Sequence, residues 1–174
     1  MKRLIIISAT KNSNLELSKK INIFFESKDL FDSHVISLED FNLPLYTPTL
    51  EDTFQKENSF PSEIESIKQL LLNSDAMIWC SPEYNGGISP IVTNSIAWIS
   101  RATKNWKDAF IDKKTLVCTS SGGNGKNFIE GFKMQLEYLG ADVIDVSFVQ
   151  TKKAGFDNNL LEQTLNTFHQ RVTN

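Results

Sequence analysis

Short apolar runs and segments of helical periodicity take turns along this chain, and that alternation restricts its fold more than any other feature. Leu4–Ile7, Val35–Leu38, Ala76–Cys80, Thr115–Thr119 and Val143–Val149 read as strands. Apolar residues three or four positions apart mark helices around Leu17, Ile21 and Phe24, around Ile64, Ile67 and Leu71, and around Ile129, Phe132, Leu136 and Leu139. Ile91–Arg101 is another helix, and Leu161, Leu165, Phe168 and Val172 mark a closing one. Gly140 suits the left-handed cap of the helix that ends near Leu139. The segment from Glu39 to about Phe60, which carries Pro44 and Pro48, reads as irregular.

Five strands alternating with five helices predict a parallel sheet covered on both faces, a three-layer α/β/α sandwich, because right-handed crossovers lay each helix against the sheet. The runs LIII, AMIWC and TLVCT are mostly apolar, as strands buried on both faces are, whereas HVISL and DVIDVSF mix in polar residues, as edges do. The doubly wound order that places the second and fifth strands at the edges is 2-1-3-4-5, the flavodoxin-like arrangement. Residues 1–174 are expected to form one domain of this kind, without repeat or linker.

Composition excludes several function classes. A net charge of -3 without a lysine-arginine cluster argues against nucleic acid as the main partner. No apolar run approaches the roughly 20 residues needed to cross a bilayer, and Leu4–Ile7 is too short for a signal-peptide core, so a cytoplasmic protein with no membrane partner is expected. Cys80 and Cys118 lie inside apolar runs with no further cysteine or nearby histidine, which predicts buried structural thiols and no metal site. His34 and His169 are expected at the surface.

In such a sheet ligands bind beyond the carboxyl ends of the strands where their order reverses, here between the first and third strands. Three loops would meet there. In the first, "SATKNSN", Ser8, Thr10, Ser13 and Asn14 precede or open a helix whose N–H groups could cradle a phosphate, with Lys11 adding charge. The same atoms suit an ordinary cap by Ser13 or Asn14, with Glu16 completing a capping box. In the second, "SPEYNGGISP", Pro82 fixes the exit from the strand, Gly86 and Gly87 allow close approach, and Tyr84 and Asn85 offer an aromatic surface and an amide for the edge of a flat heteroaromatic ring. Glu83 could instead be a catalytic carboxylate. The third, "SSGGNGKN", fails the P-loop pattern, with Ser120 where a glycine is required and Asn127 where a hydroxyl is required. Its Gly122, Gly123 and Gly125 suit either close backbone approach to a ligand or a plain strand-to-helix turn. No histidine lies in these loops, and neither a nucleophile elbow nor the acidic strand ends of a phosphorelay receiver is present.

With those loops in view, the sequence resembles the NADPH-dependent FMN reductase family over nearly its whole length. "SPEYNGGISPIVTNSIAWISR" is similar to that family's Pro-Glu-Tyr-Asn-Gly stretch and following helix, "LPLYTPTLED" to its Leu-Pro-Leu-Tyr segment, and "SSGGNG" to its Gly-Gly loop. The resemblance implies FMN as cofactor and NADPH or NADH as co-substrate. It implies a ring lined by Pro82, Glu83, Tyr84, Asn85 and Gly86 and by Ser120, Ser121, Gly122 and Gly123, and a phosphate held by Ser8, Thr10, Lys11, Ser13 and Asn14. Where the family usually has Gly-Ser-x-Arg this chain has Ser8-Ala9-Thr10-Lys11, and a lysine keeps the charge without the guanidinium fork.

No catalytic side chain is expected, since hydride chemistry belongs to the flavin, and the acceptor would be a small molecule such as a quinone, azo compound, flavin or chromate. The apolar excess of helix 91–101 points to a homo-oligomer, dimer or tetramer by the resemblance, or else to a helix packed beneath the proline-rich 40–60 segment. Two rival functions are an electron carrier serving protein partners and a flavin-free scaffold. A charge of only -3 is mild for a carrier.

Overall fold

The computed structural model describes all 174 residues. The chain runs β1 (Arg3–Ser8), α1 (Ser13–Glu26), β2 (Asp32–Ser37), a short 3-10 turn (Leu38–Asp40), α2 (Pro48–Lys56), α3 (Ser62–Leu72) and β3 (Ala76–Cys80). It continues through β4 (Glu83–Tyr84), β5 (Gly87–Ile88), α4 (Pro90–Ala102), β6 (Lys114–Ser121), α5 (Lys126–Tyr138), β7 (Asp142–Thr151) and α6 (Asn158–Thr173). The main sheet has the order β2-β1-β3-β6-β7, with every pair parallel. Counting only its own strands, this is the 2-1-3-4-5 order expected from the edge compositions.

Alternate residues of the central strands serve opposite layers, which is why those runs are apolar throughout. Leu4, Ile6, Ile78 and Leu116 pack against Leu17, Ile21 and Phe25 of α1 and Leu165 and Phe168 of α6. Ile5, Ile7, Met77, Trp79 and Val117 pack against Ile67 of α3, Ile96 and Ile99 of α4, and Phe128 and Phe132 of α5. Cys80 and Cys118 are register partners in β3 and β6, both buried with free thiols, and burial pushes the Cys118 thiol well above its ordinary value. A fully protonated interior thiol packs as a small apolar group.

Helix α5 ends as its glycine suggests. Gly140 has φ +86°, Gly140 N–H donates to Glu137 O and Ala141 N–H to Leu136 O, the pair of bonds of a Schellman cap. The 39–60 segment differs from expectation: it contains α2, capped by Thr47, whose hydroxyl accepts from Leu50 N, with Pro48 in the first turn where a proline costs nothing. Its apolar side, Leu50 and Phe54 one turn apart, is only partly buried, and nine residues are too few for a sustained period.

This segment covers α4. Trp98 Nε1 donates to Pro44 O at 2.7 Å, Asn94 bonds Tyr46 N at 2.8 Å and Pro44 O at 3.0 Å, and the rings of Tyr46 and Phe54 lie 5.1 and 5.5 Å from Trp98. The alternative reading of helix 91–101 thus accounts for Trp98 within one chain. No helix is long and apolar enough to cross a membrane.

Candidate functional site

The turn after β1 is stapled to its surroundings. Ala9 N–H donates to Cys80 O at 2.8 Å, continuing the sheet by one bond, and the buried Ser8 hydroxyl donates to Thr10 O at 2.8 Å. Thr10 Oγ1 donates to Asn12 Oδ1 at 2.6 Å, and Asn12 caps α1 by accepting from Asn14 N at 3.3 Å. The cap is therefore neither Ser13 nor Asn14, and Glu16, expected to complete a capping box, pairs instead with Lys19 at 3.0 Å. Asn14 is wholly buried: its Nδ2 donates to Ser120 O at 2.9 Å and its Oδ1 accepts from Ser120 N at 2.8 Å, locking α1 to the end of β6. Lys11 turns to the acidic end of β2, where its ammonium pairs with Asp40 and its N–H donates to Glu39 Oε1 at 2.7 Å. The Asp40 carboxylate, hydrogen-bonded to Lys11, holds that ammonium above the ordinary lysine value.

The stretch after β3 is a small hairpin. Glu83 pairs with Ile88 and Tyr84 with Gly87, while Asn85 at φ +51° and Gly86 at φ +72° form the two-residue left-handed turn that Asn-Gly favours. Its neck is closed by the buried hydroxyls of Ser81 and Ser89, 3.1 Å apart. Glu83 reaches the next loop: its Oε2 accepts from Phe128 N at 3.0 Å at the start of α5. That helix lacks a cap of its own, because its cap residue is Gly125 at φ +67°, where a Cβ would stand 2.7 Å from Thr119 Cγ2. A carboxylate from β4 takes the place of the missing cap and complements the helix dipole.

These loops enclose a crevice of about 360 Å³ at the carboxyl end of the sheet. Of the residues expected at the site, Ser13, Pro82, Glu83, Tyr84, Ser120, Ser121 and Gly122 line it. Ser8, Thr10 and Asn14 lie beneath or beside it with their side-chain polar groups already bonded, Lys11 faces Asp40, Asn85 and Gly86 form the hairpin tip, and Gly123 sits next to Glu83. Asn12, Gln150, Thr151 and Lys152 also line it and were not singled out from the sequence. The last three come from the end of β7, and the strand order itself was the available signal, since it sets β7 beside β6. A hollow of about 500 Å³ near Gln55, Asn58 and Phe60 is larger, but it lies by the far end of α4, where no strand ends converge.

Several donors of the crevice are unpaired. The N–H groups of the lining residues Asn12, Ser13 and Gly122, and of the neighbouring Gly123, have no acceptor within the chain, and Tyr84 is 44% exposed. A Cβ built on Gly122 would meet nothing within 4 Å, so its backbone is open to approach. Outward-facing amides at a helix start suit an anion; amides beside an exposed phenol ring suit the carbonyl and nitrogen edge of a flat heterocycle. These residues fit FMN, which carries both groups.

The sequence matches the NADPH-dependent FMN reductase family over residues 1–155. An uncharacterized protein of Mycoplasma pneumoniae is 26% identical over 160 residues, covering 90% of this chain and 91% of that one. A probable NADPH:quinone oxidoreductase of Oryza sativa is 27% identical over 127 residues, 69% of this chain and 61% of its own length. The chain therefore spans about three-fifths of that relative. Among solved structures, the flavoenzyme FerB, an NAD(P)H:acceptor oxidoreductase of Paracoccus denitrificans, superposes with a TM-score of 0.73 at 18% identity, over 99% of this chain and 94% of that one. On the strength of the family match, the shared fold and the crevice at the strand ends, this chain belongs to the NADPH-dependent FMN reductase family.

Proposed function

We propose that this protein is an FMN-dependent NAD(P)H oxidoreductase that passes electrons from a nicotinamide to a small oxidised acceptor of the quinone, azo, flavin or chromate class. The observation that carries the reading is the convergence of unpartnered amides at Asn12, Ser13 and Gly122 with the half-exposed ring of Tyr84 on one crevice. The start of α1 binds the phosphate, since its N–H groups and dipole favour an anion. Gly122 and Gly123 read the ring edge, with Tyr84 and Pro82 as the wall. When bound, the flavin supplies the hydride chemistry, so no acid-base pair is required of the chain. Glu83 is held at the start of α5 and acts as a positioning group for the hairpin and not as a proton donor. Orientation of donor and acceptor against one another is the protein's main contribution to rate.

A quinone-type acceptor is supported by the name of the rice relative. The whole chain acts as one domain in the cytoplasm. Assembly into a dimer or tetramer uses the side of α4 where Ile91 and Ala97 remain only partly buried, and light scattering of the purified protein measures it.

A visible spectrum followed by anaerobic addition of NADPH or NADH tests the reading. The expected result is a flavin band that the nicotinamide bleaches and that a quinone restores. A protein that takes up no FMN overturns the proposal, and a flavin band that neither nicotinamide bleaches replaces it with an electron carrier.

A further inference from the structure

Two lysines stand close to the crevice in different electrostatic situations. Lys11 already has partners: Asp40 pairs with its ammonium and Glu39 accepts from its backbone N–H, so the 3-10 turn after β2 presents two carboxylates to the residue. A phosphate that uses Lys11 shares its ammonium with Asp40, whose negative charge opposes the incoming anion. Lys152 lines the crevice together with Asn12 and Ser13, is exposed, and makes neither an ion pair nor a side-chain hydrogen bond. It follows Thr151, which pairs with Ser121 at the carboxyl end of β6. The turn that carries it is closed on itself, with Ala154 N donating to Thr151 Oγ1 at 3.0 Å and Gly155 N donating to Thr151 O at 3.1 Å. Gly155 has φ +73°, which the tight return requires. The other charged group lining the crevice, Glu83, directs its carboxylate to Phe128 N.

We propose that Lys152, rather than Lys11, supplies the full positive charge for a phosphate ester in the crevice, with the terminal phosphate of FMN as the first source and the pyrophosphate of the nicotinamide dinucleotide as the second. This rests on the flavin reading above and adds a residue to it. An exposed ammonium with no protein partner exchanges only water for the incoming anion, whereas the Lys11 ammonium also keeps a carboxylate beside it that repels that anion.

The test compares dissociation constants of FMN and riboflavin, read by flavin fluorescence, in wild type, Lys152→Gln, Lys11→Gln and Lys153→Gln, with circular dichroism as the folding control. Lys153 is the neighbouring lysine outside the crevice lining and carries the same charge change. The expected result is FMN binding weakened about tenfold by Lys152→Gln alone, with riboflavin unchanged in every variant. An unchanged FMN-to-riboflavin ratio in Lys152→Gln, with a raised KM for NADH or NADPH, keeps the assignment and moves the phosphate to the dinucleotide. If neither quantity changes, or if Lys153→Gln matches Lys152→Gln, the assignment falls. A wild-type protein that binds neither flavin sinks the functional reading instead.

Discussion

In the turn after β1, the side-chain polar groups of Ser8, Thr10, Lys11 and Asn14 all have partners within the chain; in the hairpin after β3, Tyr84 and Asn85 stay exposed and only Glu83 is engaged. As strings of residues the two segments look equally suited to holding a ligand. Folded, the first is a clamp that orients backbone N–H groups, and the second is a wall that presents a ring. The turn after β1 therefore contributes to binding mainly through peptide groups, and its side chains act by keeping those peptides in place.

The most damaging change to the clamp is Asn14→Ala. It removes both bonds to Ser120 and leaves that buried peptide unpartnered, at a cost of about 3 kcal/mol, and the melting temperature should fall by roughly 6–12 °C. A melt like that of the wild type would erase the contrast between the two segments.

On the hairpin side the largest expected effect is smaller. Gly86→Ala forces a side chain into φ +72° and should cost about 1–2 kcal/mol, whereas Gly87→Ala, whose Cβ would meet only Tyr84 O at 3.9 Å, should cost less than Gly86→Ala. Equal effects would show that the hairpin tip is not held in the left-handed turn.

Glu83→Ala leaves the Phe128 N–H in the first turn of α5 without an acceptor and should destabilise by about 1 kcal/mol in a urea titration. Glu83→Gln, which keeps an acceptor and removes the charge, should fall between Glu83→Ala and the wild type, and an equal loss in both would mean that only the charge matters.

The smallest effect is expected from Lys11→Ala. The pair with Asp40 is about half exposed on both sides, at 49% and 56%, so solvent screens it and the melt should match the wild type within error. Because the folded Lys11 value is raised, any stability the pair does contribute is present below the ordinary 10.5 and disappears as pH rises through the raised value. A difference between variant and wild type that grows with pH would contradict the pairing.

Much of the sheet was legible because its central strands are buried on both faces, so that Leu4–Ile7 and Ala76–Cys80 have no polar side to confuse the pattern. Helix α2 was not, since nine residues with one apolar pair a turn apart, Leu50 and Phe54, are too few to show a period, and its Thr-Pro start sits among prolines that read as loop. The hairpin carried its Asn-Gly signature in plain view, but strands of two residues are too short for any periodicity. Seven of the expected residues do line the crevice, and Lys152 escaped notice because nothing near it in the chain belongs to the first three loops.

By itself, the amino-acid sequence determined the layers, the strand order and the place where the loops gather, because burial on two faces and right-handed crossovers act through local pattern. Only the tertiary structure decided which polar groups are left over for a ligand. Asn14 is satisfied by Ser120, 106 residues away, and Glu83 by Phe128, 45 residues away. A donor or acceptor is free only if no distant partner reaches it, and that depends on how the whole chain packs.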